Sequence, residues 1–206
     1  MRKIGISILL ILTLNSMVFA GGKYVAPPYE PPIAVPTDAF YVGLGLSGMS
    51  LRDDLSEEEF KALGVMLQVG YQYNQYIAIE GRYTKNVGDL EYDNGITQNP
   101  DYEDYPADFC NIGIYLKPML PMGDLVIYGL LGYGQVKLTN IPLSAGSADR
   151  AESGFQWGAG MKYNVSENIS VFADYVRFYD DTGFDYRATT ANVVSDAWTL
   201  GVSYSF

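Results

Sequence analysis

The 206-residue chain contains no histidine and a single cysteine, Cys110. Without histidine there can be no Ser-His-Asp triad, no imidazole acid or base and no His-bearing metal site. One cysteine excludes an intramolecular disulfide and a Cys-based zinc cluster. The chemistry left is that of carboxylates, amines and guanidinium groups. The segment Asp89-Leu90-Glu91-Tyr92-Asp93-Asn94-Gly95 approaches a calcium-binding loop. Its glycine comes one place late, and Pro100 stands where the closing glutamate belongs, so the comparison fails. No catalytic constellation emerges; the reading is of a non-enzyme with no cofactor and no metal centre.

The charged residues sort into two sets. One occupies acidic stretches, some of them tyrosine-bearing. Asp53, Asp54, Glu57, Glu58 and Glu59 form the first, and Asp181, Asp185, Tyr186 and Arg187 mark another. The richest, LEYDNGITQNPDYEDYP, carries Glu91, Tyr92, Asp93, Asp101, Tyr102, Glu103, Asp104 and Tyr105. Exposed tyrosine offers contact area with a polar handle, a composition of recognition surfaces. The same acids also read as a solvated, self-repelling surface or as capture sites for divalent cations. The second set, Glu80, Arg82, Lys137, Lys162 and Asp174, lies inside segments of alternating polarity.

Residues 1–20 read as a secretory signal peptide. Arg2 and Lys3 precede the apolar run Ile4–Leu14, and Val18-Phe19-Ala20 supplies small residues for cleavage after Ala20. Removing Arg2 and Lys3 lowers the 13 basic residues to 11 against 24 acidic, so the net charge moves from −11 to −13. Such a chain repels nucleic acid. Residues 21–38 include Pro27, Pro28, Pro31, Pro32 and Pro36 and read as an extended periplasmic tether. No apolar run after the signal reaches the ~20 residues of a spanning helix.

From Ala39 onward the sequence alternates with period two. Eight strands are expected: 39–52, 62–73, 76–89, 107–117, 124–138, 154–165, 169–180 and 196–206. Their connections alternate between short and long, so the long ones collect at one end. On the last strand Trp198, Leu200, Val202, Tyr204 and Phe206 share one face, and Thr199, Gly201, Ser203 and Ser205 the other. The strands around residues 63–73 and 155–165 repeat this. The apolar face is too large and too aromatic for a narrow lumen. Turned outward it meets lipid, with aromatic girdles at its edges. Closure pairs every backbone donor, as hydrocarbon demands. The fold expected for 39–206 is therefore all-β, an eight-stranded antiparallel up-and-down transmembrane β-barrel in a bacterial outer membrane. Glu80, Arg82, Lys137, Lys162 and Asp174 then point inward, where opposite charges must pair, and Gln68, Gln72, Gln135 and Gln156 complete the hydrogen bonding. Arg177 and Lys85 point outward and need an interfacial position or a β-bulge. The sequons Asn164-Val165-Ser166 and Asn168-Ile169-Ser170 are chance matches in such turns.

The opening FYVGLGLSG, the ending WTLGVSYSF, and the segments AIEGRY and FADYVRFY resemble the eight-stranded outer-membrane barrels: the outer membrane protein A transmembrane domain, the outer membrane protein X group and the opacity-type surface proteins. The resemblance covers 39–206. It implies that the last strand, with Trp198, Tyr204 and Phe206, is the signal read by the barrel assembly machinery. It also implies a surface role through the loops, toward a host or cell-surface ligand, in contact with outer-membrane lipid; the alternative is a narrow, weakly conducting porin-like channel. Barrels of this size that modify lipid A use a histidine, which is missing here. The chain ends without a wall-binding domain, and a monomer is expected because eight strands close on themselves. A lipocalin lacks support, since strand one has no Gly-x-Trp opening.

Overall fold

The computed structural model describes residues 38–53, 59–93, 103–143, 146–182 and 192–206. The signal peptide and most of the Pro-rich stretch lie outside these residues. The described chain is all strand: β1 (Ala39–Asp53), β2 (Glu59–Asn74), β3 (Ile77–Asn86), β4 (Leu90–Asp93), β5 (Glu103–Tyr105), β6 (Asp108–Met122), β7 (Leu125–Leu143), β8 (Gly146–Asn164), β9 (Ile169–Asp181) and β10 (Val193–Ser205). Each long strand pairs antiparallel with its sequence neighbours, β6 taking β3 as its partner. The β1–β2 and β1–β10 ladders close the ring, so eight strands form a barrel in the order β1-β2-β3-β6-β7-β8-β9-β10.

The expected wall is present, and two differences concern its long-loop end. Inside the expected loop 90–106, β4 and β5 pair with each other, and β4 extends the β2 ladder through Phe60↔Tyr92. Likewise β7 and β8 run well past the expected limits and pair as far as Leu143↔Gly146. Their register shifts between Leu138 and Ile141, where Asn140 adopts φ 59°. That left-handed residue breaks the simple alternation, and so the strand reads as loop. At the other end the connections are tight, and the first and last strands meet there through a Phe206 N–H to Phe40 C=O bond of 2.9 Å.

Alternation decides the faces. Phe40, Leu44, Leu46, Leu67, Val69, Ile114, Leu131, Leu200 and Val202 are exposed, although all are apolar. Exposed aromatics ring the band. Phe40, Tyr73, Tyr76, Tyr163, Tyr204 and Phe206 mark the short-turn end, and Tyr83, Tyr133, Phe155, Trp157 and Trp198 the other. Trp198 to Phe206 spans eight residues, roughly 20 Å along the axis for a strand tilted by about 40°. That matches a hydrocarbon layer rather than water.

The inward face has two layers. Toward the short turns it holds Tyr41, Glu80, Arg82, Lys117, Tyr128, Lys162 and Asp174, all buried. Toward the long loops it is filled by Met49, Leu51, Phe60, Leu90, Phe109, Val136, Leu138, Val176, Phe178 and Val193. Glycine makes room for the large polar side chains. A Cβ on Gly70 would run into the Tyr41 ring, and one on Gly160 would collide with Asp174 and lie 2.8 Å from Tyr128 Cζ.

Candidate functional site

The polar layer of the lumen is the densest cluster of charge among the described residues. It is built on alternate inward positions: Glu80 and Arg82 on β3, Tyr115 and Lys117 on β6, Tyr128 on β7, Asp174 on β9 and Tyr41 on β1. Arg82 donates Nη1 and Nη2 to the two oxygens of Asp174 at 3.0 and 2.8 Å, a bidentate pair. β3 and β9 stand four places apart around an eight-strand ring, so this bond crosses the diameter. Arg82 Nε also donates to Glu80 Oε1. Glu80 Oε2 accepts from Lys117 Nζ at 2.7 Å and from the Tyr41 hydroxyl. The Tyr128 hydroxyl donates to Asp174 Oδ2 at 2.7 Å. Lys117 Nζ lies 4.0 Å from the centroid of the Tyr128 ring, a cation–π contact. Every side chain of the Glu80–Arg82–Asp174–Lys117 group is at most 4% exposed. Such ions are tolerable only when paired and hydrogen-bonded, and here five strands share the bonds.

A smaller neutral network adjoins it. Gln156 Nε2 donates to Asn111 Oδ1 at 2.7 Å, and the Tyr115 hydroxyl donates to Gln156 Oε1. Above both networks the apolar layer fills the section of the barrel nearer the long loops. Together they fill the lumen with bonded and packed side chains, and the arrangement offers no nucleophile beside a base.

Of the five charges expected inside, Glu80, Arg82 and Asp174 meet directly. Lys162 is inward and buried but stands apart from the pairs. Lys137 requires correction: it is exposed, on the outward face of β7 with Leu131 and Tyr133. The inward residues of β7 are Val126, Tyr128, Leu130, Val136 and Leu138. Both faces of this strand are apolar and bear glycine, so alternation carried no polarity signal. Gln135 falls outward for the same reason and bonds Ser153 Oγ at 3.1 Å, while Gln68, Gln72 and Gln156 are buried. Sequence reasoning missed Lys117, Tyr115, Tyr41 and Tyr128. The first two share the parity opposite to Ile112, Ile114 and Leu116, a signal already in the alternation.

A second cluster lies on the outward face at the long-loop edge of the lipid band, centred on Asp196. Its carboxylate accepts from Ser50 Oγ at 2.7 Å, Arg52 Nη2 at 2.8 Å and the Tyr175 hydroxyl at 3.1 Å. Arg177 lies 3.7 Å from it and also pairs with Asp180 at 2.6 Å. The β9–β10 register shifts at Ser195/Asp196, the bulge that the outward Arg177 called for. Lys85, also outward, pairs with Asp108 at 2.9 Å.

Among the expected loop residues, Asp101 and Tyr102 lie outside the described residues. Glu91 is exposed on β4, which also holds Tyr92 and Asp93, while Glu103, Asp104 and Tyr105 form β5. Trp198, Tyr204 and Phe206 all face outward and are exposed, and the Tyr204 and Phe206 rings meet edge to face at 5.2 Å.

Comparison with known proteins places this geometry. Residues 6–206 match the family described as the outer membrane protein beta-barrel domain. Outer membrane protein X of Escherichia coli strain K12 is 27% identical over 153 residues, covering 73% of this chain and 69% of that protein. The attachment invasion locus protein of Yersinia pseudotuberculosis is 22% identical over 167 residues, covering 80% and 83%. The crystal structure of Ail, the attachment invasion locus protein of Yersinia pestis, in complex with the heparin analogue sucrose octasulfate superimposes with a TM-score of 0.54 at 20% identity. That match covers 83% of this chain and 100% of the other.

Proposed function

Because the chain belongs to the outer membrane protein β-barrel family, and is thus an outer-membrane protein, we propose that it is a non-enzymatic surface protein whose plugged barrel displays acidic, tyrosine-bearing loops to an extracellular ligand. The observation that carries this reading is the filled lumen: the Arg82–Asp174 tie crosses the barrel, and a layer of buried apolar side chains packs above it. A barrel filled in this way serves as a scaffold, so function moves to what it holds outside. The projecting β7–β8 pair and the β4–β5 hairpin give those loops a stiff base. The short turns and both termini of the mature chain face the periplasm, the last strand with Trp198, Tyr204 and Phe206 serves assembly, and the barrel acts as a monomer.

Charge narrows the ligand. Residues 89–106 contain Asp89, Glu91, Asp93, Asp101, Glu103 and Asp104 and no lysine or arginine. The Ail structure holds a sulfated ligand; this segment would repel one and favours a basic partner. The test uses cells that display the protein. Attachment to a polylysine-coated surface is expected to exceed attachment to a heparin-coated one. Neutralising Asp93, Asp101, Glu103 and Asp104 to Asn or Gln should abolish the difference. Equal attachment before and after neutralisation would refute the reading. The competing narrow pore is tested by single-channel conductance of the refolded barrel, where silence is expected; discrete steps altered by Arg82→Met would replace the display role with transport.

A further inference from the structure

Gly81 interrupts the lipid-facing surface of β3. It stands on the outward parity between Ile79 and Tyr83, both exposed. A Cβ placed on it would meet only Val69, at 3.8 Å or more. The missing side chain opens a groove of about 590 Å³ on the outer wall, within the ~300–1,000 Å³ of small-molecule sites. Its walls are Leu67, Val69, Tyr83, Ile112, Ile114 and Tyr133 from β2, β3, β6 and β7, all of them exposed.

The groove changes character along the strands. In the row of Gly81 the outward residues are Val69, Ile114 and Tyr133. The next row toward the long loops holds Tyr83, Ile112, Gln135 and Ser153, where Gln135 Nε2 donates to Ser153 Oγ at 3.1 Å. One row further, Lys85, Cys110 and Lys137 lie side by side across β3, β6 and β7. The carboxylates nearby are already engaged: Asp108 by Lys85 at 2.9 Å and by Asn140 Nδ2 at 3.1 Å, and Asp149 by the Asn140 N–H at 3.1 Å. Lys137 is exposed and forms no ion pair among the described residues. An apolar trough therefore leads to an amide and a hydroxyl, and then to an ammonium without a counter-charge.

We infer that this groove seats one acyl chain of a phosphorylated glycolipid of the outer leaflet, with the lipid's phosphate on Lys137 and its sugar hydroxyls against Gln135 and Ser153. The apolar walls select the chain, and the lysine selects the anionic head. The choice of leaflet rests on the orientation proposed above, with the long loops outside. Phosphatidylglycerol, which has the same sign of charge but no sugar, is the competing occupant.

The test is equilibrium binding of tritiated lipid A and of phosphatidylglycerol to the refolded full-length mature protein in a neutral detergent. Wild type should bind lipid A more tightly than phosphatidylglycerol. Lys137→Met should weaken lipid A binding by about fivefold, the contribution of one lysine at a lipid headgroup. Gly81→Leu, which fills the trough from an open position, should weaken it as well. Lys61→Met, which removes an exposed lysine on β2, should leave it unchanged. Heat-dependent gel mobility verifies folding, and Gly81→Ala replaces the leucine variant should that one fail the check. Equal lipid A binding by wild type and the folded Gly81 and Lys137 variants would overturn the site. Equal affinity of wild type for the two lipids would overturn the choice of glycolipid. Protease digestion of residues 89–106 on intact cells tests the orientation separately: protection there, with binding in detergent retained, would overturn the leaflet and leave the groove.

Discussion

The two layers of the lumen are built on inward-facing positions, several of them on shared strands, yet they hold the barrel together differently. Near the short turns, Arg82, Asp174, Glu80 and Lys117 are joined by directional bonds across the ring. Near the long loops, Phe109, Leu138, Leu90 and Val136 fill space without direction. The polar layer specifies which strands face each other, because only one strand spacing brings Arg82 to Asp174. The apolar layer tolerates exchange of side chains as long as volume is kept. Both are buried, but the first fails when one partner is lost and the second fails by degrees.

The sharpest way to break this comparison is Arg82→Met, which leaves Asp174 without its bidentate partner. It should cost about 3–5 kcal/mol in urea unfolding of the refolded barrel. Adding Asp174→Leu should restore most of that loss, since both ends of the pair are then apolar; no recovery would mean that the pair is not the unit. In the other layer, Phe109→Ala should cost about 3 kcal/mol through the cavity it leaves. A far smaller value would show that the apolar layer collapses to refill the space. Tyr128→Phe removes one hydrogen bond to the Asp174 carboxylate and should cost about 2 kcal/mol. On the outward face, Lys85→Ala breaks an exposed pair with Asp108 and should change stability by less than about 0.5 kcal/mol. A larger change there would move weight from the lumen to the outward ion pairs.

Residues outside the lumen teach a related point. The collar around Asp196 joins β1, β9 and β10 through Arg52, Ser50, Tyr175 and Arg177. In the sequence, Arg177 stands out as a charge on a lipid-facing parity, and a bulge or interfacial position is the expected answer. Both occur. Asp196 gave no such signal, because its role depends on a bulge in the opposing strand that alternation cannot locate.

The β-barrel itself was legible from period-two alternation, the sorting of short and long connections, and an apolar face too aromatic to turn inward. Those features are local, because each residue reports its own side of the sheet. So Glu80, Arg82 and Asp174 could be placed inside from their neighbours alone. On β7 the same logic misplaced Lys137, since Gly129, Gly132 and Gly134 put glycine on both faces and neither face was polar. Which inward charges actually meet was a matter for the tertiary structure. Arg82 and Asp174 are 92 residues apart in the chain, and their contact depends on strand order, register and tilt around a closed ring. The hairpin of β4 and β5, paired onto β2, is likewise a product of the closed wall beneath it. Alternation states the side of a sheet a residue occupies; only closure of the sheet decides what lies across from it.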